Sequence, residues 1–224
     1  MAHLGDKTYQ RAFLDYFDRR LEDSNGDWKK LSLHYLLKCD KPLLSGTIGG
    51  FGHPLIHFAD AFELESPQLA VEALALTAVD YNPLHMVLDA LVKQTAPSIS
   101  SPALEVLNRV ASDNRFDNLL QKPGVGNTMV VLQSLSARSA IVEHVKSFDV
   151  CVDTPAQATA TAQELTMVAV QLLVATYDPE DKEEGHAFDF YLTHQLTFCW
   201  CLHILIPALP TEAATQLLRE VWLL

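Results

Sequence analysis

The fold is decided by Thr154-Pro155-Ala156-Gln157. Threonine is a good helix cap, proline costs nothing at the first helical position, and a glutamine three residues after the cap can reach back to it. The four residues therefore start a helix, and the run behind them predicts that it continues to Tyr177. Downstream, Asp178-Pro179-Glu180-Asp181-Lys182-Glu183-Glu184-Gly185 reads as a solvated acidic loop. The most apolar stretch follows, Phe188 to Leu209. It carries Asp189, His194, Gln195 and His203 and meets Pro207, too polar for the roughly 20 apolar residues of a membrane span. It reads as a helix through the core of a soluble protein. Thr211 is expected to cap a last helix.

The same punctuation recurs upstream. Thr8 to Leu21 places Phe13, Leu14, Phe17 and Leu21 at helical spacing and stops at Ser24-Asn25-Gly26-Asp27. Trp28 to Leu37 repeats the pattern. A glycine loop, Ser45 to Gly52, leads to Pro54 in the first turn of another helix; Ser66-Pro67 and Ser101-Pro102 are further start signals. Strand signals are confined to Met129–Leu132 and Phe148–Val152, neither with a hairpin turn. The expectation is an all-α, bundle-like single domain of about eight helices over residues 1–224. Pro97 to Pro102 and Lys122 to Gly126 read as connectors.

The chain has 224 residues, 49% of them hydrophobic, enough to bury a core without a staple. Lys and Arg total 16 against 28 Asp and Glu, a net charge of −12. That balance disfavours nucleic acid and anionic membrane surfaces, both of which are bound through excess cations. No apolar leader follows Met1, and Cys39, Cys151, Cys199 and Cys201 form no CxxC pair, so a reducing, cytoplasmic setting is expected.

Chemistry concentrates in two segments. In Gly52-His53-Pro54-Leu55-Ile56-His57 the histidines are four apart, one turn above each other on a helix face, where two imidazoles can meet one divalent metal. Asp60 is near the same face. Two satisfied structural histidines would show the same spacing. HExxH protease chemistry is excluded, because Pro54 stands where the glutamate base would be. The glycine loop lacks the Lys-Ser/Thr of a phosphate loop, so its glycines read as backbone freedom that aims His53. The second segment is Asp189-Phe190-Tyr191-Leu192-Thr193-His194-Gln195-Leu196-Thr197. His203 lies nine residues from His194, on the opposite side of a straight helix. His144 has charged neighbours and reads as surface, while His34, His85 and His186 lack partners at useful spacing.

The stretch Gly52-His53-Pro54-Leu55-Ile56-His57-Phe58, with Glu63 and then Ala73-Leu74-Ala75, resembles the questin oxidase-like family. The segment Asp189 to Thr197 is similar to that family's second histidine segment. The resemblance implies a helical oxidoreductase of fungal secondary metabolism, oxidising or opening an anthraquinone-type polyketide with O2. It further implies iron held by His53, His57 and His194, with Asp60 or Glu63 as additional ligands, and NADPH as reductant, although no stretch carries a nucleotide fingerprint. The family's later His-x-x-x-Lys segment is not found near Leu224, so a shortened member is expected. Phe51, Phe58, Phe190, Phe198 and Trp200 are candidates for the walls of an apolar slot. The alternative is a non-catalytic paralogue that kept the fold and serves as a binding or interaction protein. A homo-oligomer is compatible with either.

Overall fold

The computed structural model describes residues 2–81, 101–121, 127–148, 150, 152–176 and 188–223. Among them are ten α-helices and no strand: α1 (Gln10–Asp23), α2 (Trp28–Leu33), α3 (His53–Glu63), α4 (Pro67–Val79), α5 (Ala103–Ala111), α6 (Asn127–Gln133), α7 (Leu135–Lys146), α8 (Pro155–Ala175), α9 (Phe190–Leu205) and α10 (Thr211–Leu223). The all-α class is as expected, with more helices than the eight anticipated. The stretch Met129–Leu132, weighed as a strand, is helical in α6. The acidic run 178–185, His85, His186, Cys151 and the connectors 97–100 and 122–126 lie outside the described residues.

The start signals act as their chemistry requires. Thr154 Oγ1 accepts from the Gln157 backbone N–H at 3.2 Å, and Gln157 Oε1 accepts from the Thr154 N–H at 3.0 Å, closing the capping box of α8. Ser66 Oγ accepts from the Leu69 N–H at 3.3 Å ahead of Pro67. Two starts differ by one residue. Pro102 is itself the cap of α5, and Thr211 is the first residue of α10. The second helix also ends sooner than its pattern suggests. After Leu33 it widens into a π turn over His34–Lys38, closed by the Cys39 N–H on the His34 carbonyl at 2.9 Å.

The chain divides into two compact units, Met1–His85 with Val150–Leu224, and Met86–Asp149. In the first, α4 packs against α1 and α3, and α9 packs against α3 and α8. Ala70, Ala73, Ala75 and Ala78 are buried along α4, so small side chains let neighbouring helices approach it closely. Phe17, Phe58, Leu74, Leu202 and Leu218 are each 1% exposed or less and form the centre of this unit. The apolar stretch read as a core helix is α9, with Phe198, Cys199, Cys201, Leu202 and Leu205 buried. Burial pushes the Cys199 thiol up to about 11 and the Cys201 thiol to about 12, so neither is a nucleophile at neutral pH. By length and composition alone α8 could cross a membrane, but it also carries Glu164 and three glutamines and packs on α9 and α10.

The second unit corrects the reading of His144 as a surface residue. Its side chain is 13% exposed, and Nε2 meets Asp113 Oδ2 at 2.7 Å. Arg115 grips the same carboxylate at 2.6 Å and reaches Glu143 at 2.7 Å. The sequence could not show this, because 31 positions separate His144 from Asp113. Arg115 first, then His144, holds the Asp113 carboxyl well below the usual carboxylate range. A depressed acid stabilises the fold above its unfolded value, about 4, and that contribution is lost as pH falls through the native value. Thermal melts should therefore show Asp113→Asn destabilised at pH 7, with its deficit against wild type narrowing below about pH 4. A deficit independent of pH would contradict the ion-pair account.

Candidate functional site

The glycine loop ends in three consecutive left-handed residues: Gly50 at φ +55°, Phe51 at φ +57° and Gly52 at φ +69°. Two of them avoid strain for lack of a Cβ. Phe51 does not, and a bulky side chain there costs roughly 1–2 kcal/mol. It is not repaid by burial, because Phe51 is 40% exposed. Gly52 sits directly on the ring of the buried Phe198, and a Cβ would run into Phe198 Cε1. The loop is thus wedged between α9 and the start of α3, with Phe51 turned outward.

Turned outward, Phe51 meets the first turn of α9. Its ring centroid lies 6.4 Å from Phe190, 5.8 Å from Tyr191 and 6.1 Å from His194. Phe190 is 62% exposed and stands 4.4 Å from the His194 ring. Asp189 Oδ1 holds this end of α9 in place by accepting the Tyr191 and Leu192 backbone N–H groups at 2.9 and 3.0 Å. The result is an open aromatic shelf around a histidine.

His53 completes it from α3. The His53 and His194 rings are 5.9 Å apart and perpendicular. His53 Nδ1–H donates to the Gly50 carbonyl at 2.6 Å, and His194 Nδ1–H donates to the Phe190 carbonyl at 2.8 Å. Both tautomers are set by this, because a carbonyl can only accept. In its neutral form each ring is left with an Nε2 lone pair that meets no partner among the described residues. His57 is one turn further along α3, and its Nδ1 is buried without a hydrogen-bond partner among the described residues.

The remaining candidates separate along the helix. His53, which meets His194, and Asp60 stand seven residues apart on α3. Seven residues at 1.5 Å put Asp60 about 10 Å along the axis from His53, and Glu63 about 15 Å. Phe198 is 2% exposed and lies under Gly52 and His194, whereas Phe58 is 1% exposed and belongs to the core. Trp200 is 59% exposed. His203 bonds Thr166 Oγ1 at 3.0 Å on the α8 side. Among the described residues no three His, Cys, Asp or Glu side chains gather as a metal-binding group. Two prepared imidazoles and one orphaned nitrogen therefore stop short of a three-ligand iron centre.

Tyr191 was missed as a shelf member, although it stands two residues after the Asp189 cap and three before His194. Phe51 gives a direct test of the shelf. Phe51→Gly relieves the left-handed strain and gives up the buried part of the ring, terms of similar size and opposite sign, so chemical denaturation should place its stability within about 1 kcal/mol of wild type. Binding of a flat aromatic should nonetheless weaken about 3- to 10-fold, the worth of one aromatic contact.

The chain belongs to the Questin oxidase-like family, whose model matches residues 1–224. It is also similar to a Baeyer-Villiger oxidase of Pestalotiopsis microspora, 25% identical over 212 residues. The match takes in 88% of this chain and 45% of that protein, so the chain spans about half the length of this curated relative.

Proposed function

We propose that the chain acts as an oxidoreductase of fungal secondary metabolism on a flat aromatic polyketide of the anthraquinone class. The observation that carries this is the pair of free Nε2 atoms, on His53 and His194, held beside the exposed rings of Phe51, Phe190 and Tyr191. Family membership and the name of the relative support the oxidase class.

The residues suit the following roles. Phe190 and Phe51 stack on the substrate's rings and keep water from its face. A phenol on that ring system, lying across the shelf, gives its proton to His194 Nε2 or His53 Nε2. The carbonyls of Phe190 and Gly50 then stabilise the imidazolium through the Nδ1–H bonds. The phenolate is more electron-rich than the phenol and is the form that dioxygen attacks. Iron(II) and NADPH rest on the family resemblance alone and carry no step here. Thiols at Cys39, Cys199 and Cys201 support work in a reducing compartment such as the cytoplasm.

Oxygen uptake tests the reading. A hydroxyanthraquinone should stimulate uptake by wild type in the presence of iron(II) and NADPH, and His194→Ala should suppress it. The incomplete donor set favours one other reading, a binding paralogue without turnover. That reading expects the aromatic to bind and uptake to stay at background.

A further inference from the structure

Beneath α3, on the side away from the histidines, the first unit contains a partly open cavity of about 20 Å³. Leu55 and Phe58 line it from α3, Leu36 from the π turn and Leu205 from α9. Ser32 and Thr47 contribute to the wall, yet the surface presented to the cavity is apolar throughout. The Thr47 hydroxyl is turned to the Leu44 carbonyl at 2.6 Å. A buried water needs two to four polar partners, and the wall offers at most one, the Ser32 hydroxyl, which is buried without a partner among the described residues. The volume nevertheless exceeds the ~10–15 Å³ that one water-sized probe occupies. The space suits a molecule of one or two heavy atoms that asks for no hydrogen bond.

We infer that this cavity is a holding site for a single small apolar gas molecule, which is dioxygen in an oxidase. The assignment to dioxygen rests on the function proposed above; the apolar site itself does not. Its position supports the role. Residues 55 and 58 are roughly half a turn around α3 from residues 53 and 57, so the cavity lies about one helix diameter, ~10 Å, from the histidine face. An apolar diatomic partitions there from water, close to the shelf where it is consumed.

Xenon is the probe, because it enters dry apolar cavities of this kind. Crystals pressurised with xenon should show one atom between Leu36, Leu55 and Phe58. Leu55→Phe fills the space and should abolish that atom; Leu205→Phe fills it from α9 and serves if the first variant does not fold. Ordered water at this place in wild type, or no xenon there, overturns the site whatever the enzyme does. The assignment to dioxygen is read separately. A filled variant with an intact shelf should raise the KM for dioxygen about 3-fold or more at unchanged kcat. An unchanged KM overturns the assignment. If xenon binds but wild type takes up no oxygen with any hydroxyanthraquinone, the proposed function fails, and the dioxygen assignment fails with it.

Discussion

Gly52→Ala should lower the melting temperature by about 10 °C. The residue is left-handed at φ +69°, where an alanine costs roughly 1–2 kcal/mol. The added methyl also meets the ring of Phe198, which is 2% exposed and has no free space to move into. Overpacking of this kind costs a further 1–3 kcal/mol or so. Each kcal/mol shifts the midpoint of a chain this size by about 2–4 °C. Gly26→Ala separates the two terms. That glycine has φ +80° and nothing within 4 Å, so it should lose only the backbone part, about 2–8 °C. Equal losses at the two positions would show that the loop is not wedged on Phe198. Because the same wedge aims Phe51 and His53, Gly52→Ala should also disrupt the shelf at temperatures where the protein remains folded.

His194→Ala is expected to reduce turnover about 100-fold or more, the usual worth of a placed general base. Stability should barely change, since the ring is only half buried and its one hydrogen bond is to the preceding turn of its own helix. His53→Ala should act in the same direction. If the two imidazoles share the proton, the double variant should lose less than the product of the single losses. His203→Ala is the control, because its partner is Thr166 on α8. A loss at His203 as large as that at His194 would mean that the wrong face of α9 has been assigned.

How much of this was readable in the sequence depends on the range of each interaction. Caps are local: Thr154 with Gln157 and Ser66 with Leu69 are three residues apart, and their chemistry is visible in the string of letters. The relation of His53 to His57 is likewise local. The pairing of His53 with His194 was reached only through the family resemblance, because they stand 141 positions apart and no spacing rule spans that distance. The separation of Asp60 from the shelf is local too, since seven residues of helical rise carry it about 10 Å from His53. The burial of His144 depended on Asp113, and charged neighbours in sequence gave the opposite impression. The π turn at His34–Lys38 had no recognisable signal, since its residues carry an ordinary helical pattern.

In the proposed function Phe51, Phe190, His53 and His194 form one face that binds a flat aromatic. Binding of a soluble hydroxyanthraquinone, followed by quenching of its fluorescence, tests this without requiring turnover or any cofactor. Wild type and His203→Ala should bind alike, while Phe190→Ala and His194→Ala should each bind about 10-fold more weakly, a difference of roughly 1.4 kcal/mol. Unchanged affinity in both shelf variants, with wild type still binding, would place the aromatic site elsewhere and contradict the account.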